Sequence, residues 1–168
     1  MSSTALLNIL RFVLLLFVQI IIFNNIDFLG FINPYPYLLF ILLFPVNGNK
    51  YALLLSAFLL GMIMETFLNS GGIHTAACTL LAYIRPSLFR FSFGLSYEYQ
   101  TVRINDNLSP ERFSFIAISV LIHHLCMFVL EIFTSEYLLG IILRTIVSSI
   151  FTLILCILII YLIKPSRR

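Results

Sequence analysis

Seven ionisable side chains interrupt the long apolar runs of this chain: Arg11, Glu65, His74, His123, His124, Glu131 and Arg144. Ionisable groups are costly inside a membrane, and where they occur they form ion pairs, relay protons or bind ligands. Adjacent histidines are candidates for a proton relay. A carboxylate near a histidine or an arginine is a candidate for an ion pair or the wall of a ligand pocket. These residues are therefore the first candidates for a functional site.

The spacing of the reactive residue types argues against several kinds of chemistry. The histidine pair has no cysteine or carboxylate at the spacing of a closed metal site. Cys78, Cys126 and Cys156 form no C-x-x-C pair. The chain contains no motif of a serine hydrolase, a zinc protease, a P-loop protein or a dinucleotide-binding protein. The sequence thus predicts a protein that is not an enzyme and that uses neither a metal nor a cofactor.

The amino-acid composition indicates whether these residues lie in a soluble protein or in a membrane protein. Of the 168 residues, 61% are hydrophobic and 10% are charged, whereas soluble domains are about 45–50% apolar and about 25% charged. A net charge of +3 spread along an apolar chain argues against a nucleic-acid partner. The apolar runs are continuous rather than alternating, which favours helices over a β-barrel. We therefore expect an all-α, polytopic membrane protein with a single domain over residues 1–168.

The lengths of the apolar runs predict about six transmembrane helices. They lie at 5–23, 33–46, 51–68, 73–91, 113–133 and 140–163. The second is the weakest, because Pro36 and Pro45 leave only a short apolar stretch. We expect it to be kinked or irregular and shielded by other helices. The first contains Arg11 and ends at Asn24-Asn25, so we interpret it as an uncleaved span rather than a signal peptide.

The distribution of lysine and arginine predicts the orientation. With a cytoplasmic N-terminus, the inner loops, the adjoining helix ends and the tail hold Lys50, Arg85, Arg90, Arg103, Arg112, Lys164, Arg167 and Arg168. The outer loops 24–32, 69–72 and 134–139 contain no lysine or arginine. The C-terminus is therefore expected in the cytoplasm. The N-terminus is expected there as well, unless residues 33–46 form a re-entrant segment that does not cross the membrane. The cytoplasmic loop 92–112 is either a solvated connector or a contact site.

This topology places four of the ionisable groups near the outer ends of their helices. Glu65 and His74 flank the turn 69–72 and lie at similar depth. Glu131 and Arg144 flank a short loop, and we expect them to form a structural ion pair. Arg11 is expected to extend its side chain to the inner surface.

Helical spacing assigns several residues to shared faces. Ala57, Gly61 and Glu65 are four residues apart and lie along one face. Small residues there allow close approach of another helix, within the chain or in a homodimer.

A second series at the same spacing comprises Arg144, Ser148, Thr152 and Cys156. His124 shares a face with Glu131, whereas His123 and His124 point about 100° apart, so at most one should join a given network.

Several motifs resemble, in their order and spacing, the rod-shape-determining MreD family. They are Asn33-Pro34-Tyr35-Pro36-Tyr37, Gly61-Met62-Ile63-Met64-Glu65, Gly72-Ile73-His74 and Tyr83-Ile84-Arg85-Pro86. A later run resembles the Bacteroidetes-type branch of that family: His123-His124, Leu130-Glu131-Ile132-Phe133, Arg144 and Ser148-Ser149-Ile150-Phe151-Thr152. The resemblance covers nearly the whole chain. It departs at Glu65, where many relatives carry aspartate.

The resemblance implies a non-enzymatic component of the bacterial inner membrane that supports lateral peptidoglycan synthesis and cell shape. Its implied partners are MreC and, indirectly, MreB, RodA and a penicillin-binding transpeptidase. The implied fold is similar to the six-helix substrate-binding subunits of energy-coupling-factor vitamin transporters. Such a subunit is the alternative function, although its usual Ala-x-x-x-Ala docking pattern is missing from the first span, which has only Ala5.

The candidate residues for partner binding or for a structural polar network are Ala57, Gly61, Glu65, Gly72, His74, Arg85, His124, Glu131 and Arg144. On the scaffold interpretation, Glu65→Ala or Gly61→Leu should weaken co-purification with MreC.

Overall fold

The structure, a computed structural model, describes residues 3–26, 33–94, 108–131 and 138–163. These residues are helical and contain no strand. Their α-helices are α1 (Ser3–Ile21), α2 (Leu39–Leu43), α3 (Lys50–Leu68), α4 (Ile73–Phe93), α5 (Pro110–Glu131) and α6 (Leu138–Leu162), with 3₁₀ turns at Phe23–Asn25 and Pro36–Leu38. The bounds of the five long helices agree with the predicted spans to within a few residues.

Four of these helices, α1, α3, α5 and α6, are long and apolar enough to cross a membrane. This finding agrees with the predicted membrane protein. The fifth long helix, α4, has 21 residues, which is about 32 Å at 1.5 Å per residue. Arg85 and Arg90 lower its mean hydropathy.

The helices pack in chain order, with α3 against α4, α4 against α5 and α5 against α6. We name the two ends of this bundle after residues that mark them. The Gly72 end contains the connection from α3 to α4, and the Lys50 end contains the start of α3, the end of α4 and the start of α5. At the Gly72 end, left-handed backbone at Asn69, Gly71 and Gly72 (φ 51°, 69° and 99°) makes the predicted tight turn.

The predicted second span is not a regular transmembrane helix. The three-residue 3₁₀ turn and the five-residue α2 rise only about 13 Å together, against about 30 Å for the hydrocarbon core. Every residue from Pro34 to Leu43 is buried. The expectation of an irregular stretch shielded by other helices is thus confirmed. We call residues 33–44 the buried segment.

The buried segment runs from the Gly72 end towards the Lys50 end. The Tyr37 hydroxyl meets His74 near the start of α4, and the Phe44 carbonyl meets Arg85 further along the same helix. The two helix positions are eleven residues apart, which corresponds to about 17 Å along the helix axis. The segment therefore runs through the bundle from one end to the other, as a transmembrane helix would, although only part of it is helical.

The face of α3 that carries Ala57 and Gly61 packs against α4 within the protein. A Cβ atom at Gly61 would lie 2.7 Å from both the carbonyl oxygen of His74 and the backbone nitrogen of Thr75. Ala57, one turn earlier, is fully buried. Because α4 occupies this face, the alternative of a homodimer through Ala57 and Gly61 is wrong.

The outward faces of the long helices are apolar. On α1 the exposed side chains include Leu6, Leu10, Leu14 and Phe17, and on α6 they include Ile146, Ile150, Ile154 and Leu158. A bundle with such a surface is suited to lipid, since lipid chains solvate apolar side chains without a free-energy penalty.

Candidate functional site

The buried segment presents backbone polar groups that regular secondary structure does not pair. Such groups need partners, because an unpaired N–H or C=O away from water costs free energy comparable to a lost hydrogen bond. Polar side chains from α1, α4 and α6 supply these partners. The candidate site is therefore built around this segment rather than around the paired carboxylates and histidines alone.

Gln19 of α1 bonds to the segment with both atoms of its amide. Its Nε2 donates to the carbonyl of Pro34 (3.1 Å) and to Oδ1 of Asn24 (3.0 Å). Its Oε1 accepts from the backbone N–H of Tyr37 (3.4 Å). Gln19 is fully buried, so one neutral side chain satisfies a donor and an acceptor of the segment.

Thr152 of α6 links the segment to α5 through His124. The Tyr35 backbone N–H donates to Thr152 Oγ1 (3.1 Å), which lies 3.0 Å from His124 Nε2. His124 Nδ1 lies 2.9 Å from the carbonyl of Val120. A carbonyl only accepts, so Nδ1 carries the proton, and the threonine hydroxyl donates to Nε2 of a neutral ring. Every polar atom of this chain of bonds is satisfied.

The Tyr37 hydroxyl joins two other histidines. It lies 2.8 Å from His74 Nδ1 and 3.1 Å from His123 Nε2, with the Cys78 sulfur at 3.7 Å. His123 Nδ1 is buried and has no hydrogen-bond partner among the described residues. The arrangement that leaves no N–H of His123 unpaired puts its proton on Nε2, which donates to the tyrosine oxygen. The hydroxyl then donates to His74 Nδ1, and the His74 proton is on Nε2.

Two arginines bind the other end of the segment. Nη2 of Arg85 donates to the carbonyls of Leu42 (3.2 Å) and Phe44 (2.5 Å), and Nη1 of Arg11 donates to the carbonyl of Leu43 (3.3 Å). The last carbonyls of a helix lack partners within it, so both guanidinium groups cap α2. That Arg11 extends to the inner surface stays a prediction, to which the structure adds the Leu43 carbonyl as a partner.

Glu65 caps the first turn of α4. Its carboxylate accepts from the Ser70 hydroxyl (2.5 Å) and from the backbone N–H groups of His74 (2.5 Å) and Thr75 (3.1 Å). An acid is stabilised there by the unpaired N–H groups and the helix dipole. Glu65 and His74 lie at similar depth, as predicted, and the carboxylate bonds to the His74 backbone, since the imidazole bonds to Tyr37.

The predicted ion pair between α5 and α6 is present. Nη1 of Arg144 lies 3.4 Å from Oε1 of Glu131, and the two side chains are 30% and 45% exposed. The Arg144 guanidinium carbon also lies 5.5 Å from the ring centroid of Phe128. Neither member bonds to the buried segment, so this pair stands apart from the network.

A cavity of about 540 Å³ lies at the Gly72 end. Its lining comprises Tyr35, Leu68, Asn69, Ser70, Gly71, Ile73, His74, Met127 and Glu131. It brings together two sequence-predicted residues, His74 and Glu131. Because His74 also bonds to Tyr37, the cavity wall is continuous with the buried network.

The sequence-predicted site residues thus separate into three groups. Ala57, Gly61, Glu65 and Gly72 build the junction of α3 and α4; His74, His124 and Arg85 hold the buried segment; and Glu131 pairs with Arg144. His123 and His124 do point apart, as predicted, but both join networks that meet on the buried segment. Of the loop 92–112, residues 95–107 lie outside the described part of the chain.

Sequence reasoning missed the network residues Gln19, Tyr35, Tyr37 and Cys78. Gln19 is uncharged and so is not among the ionisable residues, yet it is the one polar side chain in the apolar run from Phe12 to Phe23, which is a usable signal. The two tyrosines lie among prolines in a stretch already expected to be irregular. Polar side chains beside irregular backbone are the general signal for such a network.

In the ranges that the structure describes, no group of three or more histidine, cysteine, aspartate or glutamate side chains could hold a metal ion. Comparison with known proteins gives no match for this chain among protein-family models, curated proteins or solved structures.

Proposed function

We propose that this chain is a MreD-type membrane scaffold that binds MreC and supports lateral peptidoglycan synthesis. The observation that carries the proposal is the position of the resembling motifs. The Asn33 to Tyr37 motif begins the buried segment; His74 and His123 bond to its Tyr37, and Arg85 bonds to its far end. Motifs that are distant in sequence form one structural unit, which supports a role that depends on a fixed shape.

The proposed topology has six crossings, the second being the buried segment, with both termini in the cytoplasm of a bacterial inner-membrane protein. Charge supports this orientation. Five of the six lysines and arginines in the described ranges lie on the side of the Lys50 end: Arg11, Lys50, Arg85, Arg90 and Arg112. Of these six, only Arg144 lies at the Gly72 end. The cytoplasmic side of a membrane protein is the side rich in these residues.

Residues of the α3–α4 junction are poor probes of a partner interface. Gly61 packs against the α4 backbone, and Glu65 caps the same helix. Gly61→Leu or Glu65→Ala would therefore disturb the fold before any surface. Exposed positions on α1, α3 and α6 are the sharper probes, because their substitution leaves the interior intact.

Crosslinking to MreC tests the proposal. Single cysteines at Leu10, Phe58 and Ile150, which are exposed on α1, α3 and α6, would be combined with cysteines in the membrane segment of MreC. Cys126→Ala removes the half-buried native thiol, and the buried Leu60→Cys is the matched control. We expect crosslinks from one outward face and none from position 60. A folded protein that crosslinks from no face, does not co-purify with MreC and does not restore rod shape to cells lacking MreD would contradict the proposal.

The cavity at the Gly72 end favours a second candidate, the substrate-binding subunit of a vitamin transporter. Its volume of about 540 Å³ falls in the range of small-molecule sites, about 300–1,000 Å³. Native mass spectrometry of the purified protein would show a co-purifying vitamin, and His74→Ala should reduce its occupancy. A protein that carries no vitamin and is not stabilised by added vitamins would eliminate this candidate.

A further inference from the structure

A second cavity, of about 240 Å³, lies at the Lys50 end beside the last turns of α4. Two arginines, Arg85 and Arg90, and the amide of Asn47 contribute to its lining, together with Val46, Pro86 and Phe89. Guanidinium groups donate hydrogen bonds and do not accept them, and the asparagine amide offers two further donors. The cavity therefore suits a ligand that is rich in acceptors.

Arg85 is a buried cation whose hydrogen-bond partners in the described ranges are uncharged. The residue is only 5% exposed, and its bonds go to the backbone carbonyls of Leu42 and Phe44. Within the described part of the chain, its Nε–H has no hydrogen-bond partner, and no carboxylate forms an ion pair with it. A buried cation without an opposing charge is strongly disfavoured. The dipole of a helix as short as α2 compensates for only part of this charge.

We propose that this cavity binds a phosphate group, with Arg85 and Arg90 as its cationic donors. Phosphate offers several acceptor oxygens and pairs with guanidinium in a bidentate geometry. At the end of a membrane-crossing bundle the nearest source is the headgroup of an anionic phospholipid, and basic cavities between transmembrane helices are suited to such headgroups. Inorganic phosphate is the other source. This proposal needs no MreC, so it succeeds or fails separately from the proposed function.

Lipid retention tests the site. The full chain would be purified from bilayers of equal parts phosphatidylglycerol and phosphatidylcholine, and retained lipid would be counted by native mass spectrometry. We expect phosphatidylglycerol to be retained preferentially. Arg90→Gln should lower that retention about fivefold, the effect of one cationic group near an anionic headgroup. Arg90 is the chosen variant because it is exposed, whereas loss of Arg85 would also uncap α2.

Lys50→Gln is the matched control. Lys50 lies at the same end and carries the same charge, but its amine sits 5.5 Å above the Tyr83 ring rather than in the cavity. Its loss should leave the preference nearly unchanged. An equal loss of retention in both variants would overturn the proposal, because it would indicate diffuse attraction to the whole basic end.

Phosphorus NMR with inorganic phosphate in phosphatidylcholine nanodiscs separates the two sources. Line broadening that Arg90→Gln abolishes, without a preference for phosphatidylglycerol, would support the phosphate site and assign it to the free ion. Equal retention of both lipids together with unbroadened phosphate would overturn the proposal.

Discussion

The two ends of the buried segment are held by different chemistry. At the Gly72 end, the neutral side chains of Gln19 and Thr152 bond to the irregular backbone of residues 34–37. At the Lys50 end, the guanidinium groups of Arg11 and Arg85 bond to the carbonyls that close α2. One segment thus requires neutral partners at its start and cationic partners at its finish.

The difference follows from what the backbone presents at each end. Irregular chain presents both N–H and C=O groups, so its partners must donate and accept, as an amide or a hydroxyl does. A helix C-terminus presents only unpaired carbonyls and a partial negative charge. Arginine, which donates several hydrogen bonds and is always charged, fits that end. Ionisable residues in apolar helices can therefore act as hydrogen-bond partners of the backbone, and they need not mark a catalytic site.

The largest effect is expected at the Lys50 end, from Arg85→Leu. It leaves the carbonyls of Leu42 and Phe44 without their donor, and we expect it to lower the free energy of unfolding by about 3 kcal/mol. Unfolding in mixed detergent micelles measures the change. Lys50→Gln, which removes an exposed cation at the same end of the bundle, is the control, with an expected change within about 0.5 kcal/mol. Equal effects of the two variants would contradict the capping role.

A smaller effect is expected at the Gly72 end, from Thr152→Val. This substitution keeps the shape and removes the hydroxyl that accepts from the Tyr35 N–H and donates to His124. We expect a loss of about 1.5 kcal/mol in the same unfolding assay, since hydrogen bonds between helices in membranes are individually modest. Ser148→Ala is the control, because the Ser148 hydroxyl lies one turn away and makes no hydrogen bond to any residue that the structure describes. A Thr152→Val loss above that of Arg85→Leu would reverse the comparison.

Tyr37→Phe should have a weaker effect on stability, about 1 kcal/mol, and a distinct spectroscopic effect. It removes the hydroxyl between His74 and His123, so both rings lose a partner. Nitrogen NMR of the imidazoles should place the His74 proton on Nε2 in the native protein and show both rings shifted in the variant. Unchanged His74 and His123 signals would contradict the assigned bonds, and the His124 signal serves as the internal control.

The smallest effect is expected away from the buried segment, at Glu131 and Arg144. Half-exposed ion pairs contribute about 0.2–1 kcal/mol. A double-mutant cycle with Glu131→Gln and Arg144→Gln should give a coupling free energy in that range. A coupling larger than the Thr152→Val loss would show that this pair, and not the network, dominates the Gly72 end.

The sequence predicted the long helices well, because their signals are local. Continuous apolar runs define five of them, and Asn69, Gly71 and Gly72 mark the turn after α3. Pro36 and Pro45 marked the irregular stretch in the same way, since proline removes a backbone donor and disrupts helices. The short connection between the fifth and sixth predicted helices likewise predicted that Glu131 lies beside Arg144.

The partners of the polar residues could not be predicted in the same way. Spacing along a helix gives the depth of a residue but not which neighbour its side chain meets. Glu65 and His74 were therefore expected at the same depth, while the choice between the His74 imidazole and its backbone N–H depended on rotation about α4. Arg85 was singled out by its motif, but its target, the end of α2, exists only because the predicted span 33–46 folds as a broken segment.

Hydrogen exchange of the buried segment in nanodiscs tests most directly whether these polar side chains hold its backbone. Segments that open locally exchange quickly, whereas well-bonded backbone in the core is protected. We expect amides of residues 37–43 to be as protected as those in the centre of α5, and we expect Thr152→Val and Arg85→Leu to release them selectively. Rapid exchange of these amides in the native protein, with α5 still protected, would show that the side chains of Thr152 and Arg85 do not hold the buried segment.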